Sequence, residues 1–229
     1  MEIPAPTTVL ASGIDALYLT GRCVIPSELL ADLEQARALA GELRQPTRLR
    51  LGGETFNVGW GPLNRWRFRL EHRCAMVGMT ASDGIPSLYV QPTAEFLHAN
   101  GAEAVSDWCQ SVFAELLGHI TWQVSRVDLF ADVQGWDVKA EDRHHFLTRA
   151  TSRRTYEDDD ELTGLQWGVG GAVVCRIYDK TRESALKGTD WWPNVWGPAF
   201  EHGKQVIRIE FQVRRDALRE FTLGTPDDV

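Results

Sequence analysis

Four segments of the chain alternate polar or charged residues with large apolar residues at every second position. They are Arg65–Glu71, Arg126–Asp132, Val174–Lys180 and Ile207–Arg214. A period of two residues is that of a β-strand, in which successive side chains point to opposite faces of the sheet. The chain is therefore predicted to fold around a sheet with one apolar face and one polar face.

Helical patterns lie between the strands. Residues 27–43 and 94–117 are predicted to be helices, the second interrupted at Gly101, and shorter helices are expected at about 142–150 and at 215–221. Further strands are expected at the following segments: 15–20, 75–80, 87–91, 121–133, 162–168, 172–179 and 206–213. This order predicts an α+β fold, mainly an antiparallel curved sheet with helices packed on one face.

The two halves of the chain have similar patterns. Each half has strands with a helix between them and ends on a strand that carries Arg, an apolar residue and an acid. This similarity suggests the hypothesis that the fold is an internally duplicated unit. We expect residues 1–60 to form an N-terminal strand and helix segment that packs on a catalytic domain at 61–222. Residues 223–229 would then be a C-terminal end.

The charge of the chain is unevenly distributed. Its 229 residues carry a formal net charge of −8, but five of those charges belong to the single run Glu157–Glu161. The segment Arg44–Arg73 has a net charge of +5, and arginine, which suits bidentate phosphate contacts, is far commoner than lysine. The acidic run is expected to be a solvated loop, which could mimic the charge of DNA when the site is empty. The net charge therefore does not exclude a nucleic-acid partner.

Neither a membrane helix nor a signal peptide is evident in the sequence. No stretch approaches eighteen consecutive apolar residues, and the first ten residues lack a basic flank followed by an apolar run. We therefore expect a cytoplasmic protein with no membrane partner.

Alternation also predicts which side chains share a face. In the strand at 126–132, Val127, Leu129 and Ala131 would point inward, while Arg126, Asp128 and Asp132 would point outward. The same rule groups Arg176 with Tyr178 and Lys180 in the next patterned strand. In the last strand it groups Arg208, Glu210, Gln212 and Arg214.

Together these side chains include the groups that a metal-dependent reaction at a phosphodiester would use. Carboxylate oxygens hold Mg²⁺ or Mn²⁺, Arg and Lys balance charge on phosphate oxygens, and a tyrosine hydroxyl can attack phosphorus. Asp128 and Asp132 are four strand residues apart, roughly 13 Å at about 3.3 Å per residue, which is too far for both to bind one ion. We therefore pair Asp128 with Glu210 across strands as metal ligands and assign Asp132 to a supporting or second metal position. No His or Cys pair has metal-ligand spacing.

A structural interpretation of the same pattern stays open. Alternating Arg and Asp or Glu on a half-exposed sheet often reflects cross-strand ion pairs alone. Tyr178 could equally be a half-buried strand aromatic. Residues 190–200 are predicted to be an aromatic loop that contains Pro. Its residues Trp191, Trp192 and Trp196 are expected to anchor a core or loop, with base stacking as the alternative.

At these residues the chain resembles the replication initiation factor family, the tyrosine initiators of plasmid rolling-circle replication and the related relaxases of conjugative elements. The matching pieces are Ser125–Asp132, Gly168–Lys180 and Val206–Arg215, in that order and with similar spacing over about residues 60–220. The absence of a His-x-His pair separates the chain from the other large class of rolling-circle initiators, which hold their metal with histidines. Relative to the family, the chain ends soon after the last motif.

The resemblance implies an activity and roles for individual residues. Tyr178 would be the nicking nucleophile, Arg176 and Lys180 would lie near the scissile phosphate, and Asp128 and Glu210 would serve a divalent metal, Mg²⁺ or Mn²⁺. The enzyme would cut one strand of a double-stranded origin, stay attached to the 5′ end and leave a free 3′-hydroxyl.

Further arginines are the candidate DNA contacts: Arg67, Arg69, Arg126, Arg208 and Arg214. A host helicase and a homodimer are possible further partners. The alternative function is that of a DNA-binding or regulatory relative that has lost the nicking activity.

Overall fold

The computed structural model describes residues 7–221, 223, 225 and 226. Backbone contacts group them into two units. Residues 7–14 and 128–217 form the C-terminal unit, whereas residues 15–127 and the described residues from 218 onward form the N-terminal unit. The strands and helices, numbered in chain order, are β1 (Thr8–Arg22), α1 (Ser27–Leu43), β2 (Thr47–Leu51), β3 (Glu54–Gly59), β4 (Phe68–Glu71), β5 (Ala75–Met79), β6 (Leu88–Pro92), α2 (Ala94–Leu117), β7 (Thr121–Gln134), β8 (Arg153–Asp158), β9 (Glu161–Trp167), β10 (Val173–Asp179), α3 (Lys180–Lys187), α4 (Trp192–Trp196), β11 (Val206–Arg214) and α5 (Arg215–Glu220).

The N-terminal unit is a sheet with the strand order β2-β3-β4-β5-β6-β1-β7, covered by two helices. The hydroxyl of Thr47 donates to the carbonyl of Ala36 in α1, and Thr47 pairs with Val58 in β3, so α1 covers the face that carries Val58. Phe56 lies on the same face and contacts the ring of Trp108 in α2. Both helices therefore pack on one face of this sheet.

The C-terminal unit has the strand order β1-β7-β11-β10-β9-β8, to which β1 and β7 contribute residues 8–14 and 128–134. The β10–β11 and β9–β10 pairs are antiparallel, as is the β8–β9 hairpin. The apolar residues of this unit form two clusters, one on each face of the sheet. Val206 belongs to one cluster and the next residue, Ile207, belongs to the other, as alternation along a strand requires. We call the face that carries Asp128, Tyr178 and Glu210 the site face.

The predicted inward and outward directions in β7 are wrong. Leu129 is 45% exposed, while Asp128 and Asp132 are buried. The reason is that α4 covers the site face beside Asp132, where Trp192 and Trp196 pack with Phe130. Alternation correctly grouped the residues, but it could not tell which group would be covered.

The predicted α+β class, with an antiparallel sheet and helices packed on it, is confirmed. Eleven strands and five α-helices form within the described residues. The helix at 27–43 and the helix at 94–117 agree with the prediction, and Gly101 interrupts the second with a φ of 85°. The two contact units do not coincide with the predicted boundary at residue 60, because residues 15–127 group together.

Three local predictions differ from the structure. The expected helix at 142–150 is a short 3₁₀ turn at Ala140–His144, and the expected loop at 190–200 contains α4. Strand β8 and helix α3 were not predicted, and neither were strands β2 and β3. The hairpin turn between β2 and β3, Gly52-Gly53, has two consecutive positive φ angles, 53° and 83°, which a type I′ turn requires. No helix in the described part of the chain is long and apolar enough to cross a membrane.

Candidate active site

Tyr178 and Glu210 meet on the site face of the C-terminal unit. In the antiparallel pair β10–β11, Arg176 lies opposite Glu210 and Tyr178 lies opposite Arg208. Arg176 and Tyr178 are two residues apart, so their side chains share a face with Glu210. The Tyr178 hydroxyl donates a hydrogen bond to Glu210 Oε2 at 2.9 Å. A strand tyrosine is thus held against a carboxylate that can accept its proton.

Arg176 links two buried carboxylates. Its Nη2 donates to Asp128 Oδ2 at 3.4 Å and also to Glu210 Oε1. Asp128 and Glu210 are 2% and 3% exposed, whereas the Arg176 side chain is 33% exposed. The guanidinium compensates the two buried charges, and because the Arg176 side chain is partly exposed, a phosphate could approach it.

Asp132 and Arg208 form a separate, fully buried ion pair. Arg208 Nε and Nη2 donate to the two carboxylate oxygens of Asp132, each at 2.7 Å, and Trp196 Nε1 donates to Asp132 Oδ2 at 2.8 Å. The Arg208 guanidinium also lies over the rings of Phe130 and Trp192, at 4.2 and 4.1 Å from their centroids.

This network corrects two expectations. Arg208 is buried on every side, so its guanidinium is not placed to contact DNA. Asp132 is completely buried against the equally buried guanidinium of Arg208, whereas Asp128 and Glu210 pair with an arginine that is partly exposed. Asp132 is therefore the carboxylate least accessible to a metal ion. The expectation that Trp192 and Trp196 anchor a core is confirmed by their burial.

Lys180 is also buried, at the start of α3. Its Nζ donates to Glu183 Oε2 at 2.7 Å and lies 4.3 Å from the ring centroid of Trp192. Burial raises the pKa of Glu183, but hydrogen bonds from Lys180 and Lys187 outweigh it and hold that pKa below the ordinary value. Lys180 thus stabilises the first turn of α3, and its side chain is only 6% exposed. Its role at the scissile phosphate, which the resemblance implies, stays a prediction.

The other predicted DNA-binding arginines are partly or fully exposed. Arg214 in the C-terminal unit ends β11 and lies 3.4 Å from the carbonyl of Gly170. The remaining three belong to the N-terminal unit. Arg67 pairs with Glu34, Arg69 pairs with Glu71, and Arg126 lies over the ring of Tyr18 at 4.7 Å.

Two residues near Tyr178 have roles that the sequence did not reveal. Gly164 in β9 lies opposite Tyr178, and a Cβ at this glycine would stand 3.2 Å from the Tyr178 Cβ. A larger residue would therefore crowd the tyrosine. Arg182, in the first turn of α3, contacts the acidic hairpin between β8 and β9. The only sequence signal for the role of Gly164 opposite Tyr178 is that a glycine lies inside a strand pattern.

Asp128 and Glu210 are the oxygen donors that fit a divalent ion. Two carboxylates, with water and substrate phosphate as the other ligands, are a usual donor set for Mg²⁺. Among residues 7–221 and the other described positions, no three His, Cys, Asp or Glu side chains are placed to hold an ion together. A site for such an ion would therefore rest on two carboxylates, with Asp132 outside it.

Comparison with known proteins finds a solved structure with a similar fold. No protein-family model matches the chain, and no curated protein matches it significantly. Among solved structures, the chain is similar to a rolling circle replication initiator protein from Geobacillus stearothermophilus. The sequences are 14% identical, the match covers 98% of this chain and 80% of that chain, and the TM-score is 0.45. A likeness at this identity and score concerns the fold alone.

Proposed function

We propose that this chain is a DNA strand-cleaving and strand-joining enzyme that initiates rolling-circle replication or conjugative transfer, with Tyr178 as its nucleophile. The observation that supports this most is the hydrogen bond from the Tyr178 hydroxyl to the buried carboxylate of Glu210, beside a partly exposed guanidinium. These groups supply a nucleophile, a proton acceptor and a phosphate ligand on one face of one sheet.

The proposed cleavage step transfers a phosphoryl group from DNA to the tyrosine. The Tyr178 oxygen forms a bond to phosphorus, the bond between phosphorus and the 3′ oxygen breaks, and the phenolic proton passes to Glu210 Oε2. The 3′ oxygen takes a proton from solvent. Because the product is a phosphodiester, a 3′-hydroxyl can later attack it and release the tyrosine without another energy source.

Arg176 would bind the scissile phosphate. Its side chain is 33% exposed, and a contact to the non-bridging oxygens would offset the charge that develops in the transition state. Asp128 then has two roles. It orients Arg176 through the 3.4 Å contact, and with Glu210 it is a candidate ligand for Mg²⁺ or Mn²⁺. When bound, such an ion would polarise the phosphodiester as a Lewis acid.

The substrate in this proposal is origin DNA, cut on one strand. The exposed arginines Arg67, Arg69, Arg126 and Arg214 are candidates for contacts to its backbone, because arginine pairs with phosphate without reading sequence. A helicase that unwinds from the nick and a second copy of the chain are further proposed partners.

A covalent adduct tests this function directly. The protein is incubated with a random pool of single strands about 60 nucleotides long, labelled at the 3′ end, in Mg²⁺ or Mn²⁺, and then denatured. We expect labelled protein with the natural chain and with Tyr156→Phe, a matched control in β8 whose hydroxyl bonds Gln166 instead. Tyr178→Phe should abolish the label. Glu210→Gln should slow its formation by about 10²- to 10⁴-fold, the usual contribution of a general base.

A DNA-binding protein without cleavage activity is the second candidate. It is favoured by the position of Arg176, whose Nη2 already lies between the two carboxylates that would hold the metal. In this case the pool would be retained on a filter by the protein, and no adduct would form at any metal concentration. An adduct that survives Tyr178→Phe would contradict the assignment of the nucleophile.

A further inference from the structure

We propose that Arg182 is a DNA-phosphate ligand beside the active site, and that the tip of the β8–β9 hairpin occupies it while DNA is absent. This inference rests on the function proposed above. It adds a binding residue outside the motifs and assigns a role to the acidic run Glu157–Glu161.

The position of Arg182 is fixed by the strand that carries Tyr178. Strand β10 ends at Asp179, and α3 begins at the next residue. The Asp179 carboxylate caps the helix by accepting a hydrogen bond from the backbone N–H of Arg182 at 2.9 Å. Arg182 is thus held four residues from the nucleophile, on a rigid junction between a strand and a helix.

Arg182 is the accessible cation of this helix start. Its side chain is 32% exposed, whereas Lys180 is buried between Glu183 and the ring of Trp192. A phosphate on the DNA backbone could therefore reach Arg182 and not Lys180. The phosphate contact that the resemblance places at Lys180 would in this chain belong to Arg182.

Two carboxylates of the hairpin tip already bind this guanidinium. Arg182 Nη2 donates to Asp158 Oδ2, and Nη1 lies 3.6 Å from Glu161 Oε2. Two acceptor oxygens on one guanidinium imitate the pair of non-bridging oxygens that a phosphodiester offers. The tip thus presents negative charge to both terminal nitrogens of Arg182, as a phosphodiester would.

The tip is built so that DNA can displace it. The side chains of Asp158 and Glu161 are 60% and 80% exposed, and pairs this exposed are weak and screened by salt. The turn between them places Asp159 and Asp160 at φ angles of 50° and 64°, a left-handed geometry that glycine or asparagine adopts more easily. Five adjacent carboxylates also repel one another.

Equilibrium binding of DNA separates a specific contact from a general charge effect. A fluorescein-labelled single strand of 20 thymidines is titrated with the full chain in EDTA at low salt, and anisotropy gives the Kd. Asp158→Asn with Glu161→Gln removes the two carboxylates that bind Arg182. The matched control, Glu157→Gln with Asp160→Asn, removes the same charge from the same tip. In the described residues, neither control side chain has an ion pair with Arg182.

We expect the first pair of substitutions to tighten binding about three- to tenfold more than the control pair, because only the first frees Arg182. Arg182→Ala should weaken binding. In the Arg182→Ala background, the two pairs should have equal effects.

The outcomes distinguish this inference from the proposed function. Equal effects of the two pairs in the natural background would overturn the inference, as would a difference that persists without Arg182. If no variant binds DNA, the proposed function fails and the inference falls with it. If the natural chain forms the Tyr178 adduct but the pairs behave alike, the inference alone fails.

Discussion

The buried pair Asp132–Arg208 yields the most quantitative prediction. Asp132→Asn keeps the volume of the side chain but removes its charge, so the fully buried Arg208 guanidinium loses the charge of Asp132. Trp196 Nε1 also loses a charged acceptor. We expect both effects to lower the free energy of unfolding.

The expected magnitude follows from the burial. Breaking a buried ion pair by removing one partner costs about 3–5 kcal/mol, because a buried charge is left uncompensated. The asparagine oxygen can still accept one hydrogen bond, so we expect about 3 kcal/mol for Asp132→Asn. The double variant Asp132→Leu with Arg208→Met removes both charges and should cost less than the single change.

Urea unfolding followed by tryptophan fluorescence measures these differences. The control is Glu201→Gln, which breaks the exposed pair with Lys204 at 2.5 Å and should cost less than about 1 kcal/mol. The reasoning would be refuted if Asp132→Asn cost no more than this control. It would equally fail if the double variant were less stable than the single one.

Three further predictions concern the surroundings of Tyr178. Because the pKa of Glu183 is lowered in the folded chain, its ion pairs add stability above the ordinary value of 4.5, and this stability is lost as the pH falls through the folded pKa. The stability difference between the natural chain and Glu183→Gln should therefore shrink below about pH 4.5 in acid unfolding curves, and a constant difference would contradict it. Burial, with the charge of Glu210 as a smaller cause, raises the pKa of Cys175 to about 11. The rate at which iodoacetamide alkylates Cys175 at pH 8, measured by mass spectrometry, should be roughly 10²-fold lower than that of a free thiol. Glu210→Gln should raise this rate, and an unchanged rate would argue against an effect of the Glu210 charge on the Cys175 pKa. Gly164→Val should crowd Tyr178 and lower the yield of the DNA adduct by on the order of tenfold or more with little change in the Kd for single-stranded DNA. The control is Gly61→Ala, at a glycine that has open space around it and no positive φ.

The residues of the candidate site could be predicted from alternation, but their burial could not. The alternation of residue types correctly predicted that Arg176 shares a face with Tyr178 and that Arg208 shares a face with Glu210. The pairing of β10 with β11 then places the Tyr178 hydroxyl within hydrogen-bond distance of Glu210. What covers a face depends on distant segments. The Trp-rich segment that was expected to be a loop forms α4 and buries Asp132, so a predicted metal ligand became half of an ion pair.

Other features were missed because their signals are weak or non-local. The turn at Gly52-Gly53 is a recognisable hairpin signal, yet the flanking strands are short, and β3 contains Glu54 and Asn57, residue types that are depleted in strands. The acidic run was expected to be a solvated loop. Its residues are exposed, but they form a hairpin whose contact with Arg182 depends on a helix twenty residues later. No local pattern indicates such a contact.

The identity of the residue that becomes attached to DNA tests the central claim most directly. Adduct formed on the random single-stranded pool is digested with nuclease and trypsin, and the peptides are sequenced by mass spectrometry. Cleavage after Arg176 and Lys180 isolates Tyr178 in the tetrapeptide Ile177–Lys180. The account predicts a nucleotide 5′-phosphate on the tyrosine of this peptide. DNA cleaved by the protein with the nucleotide on another residue, or on none, would contradict it.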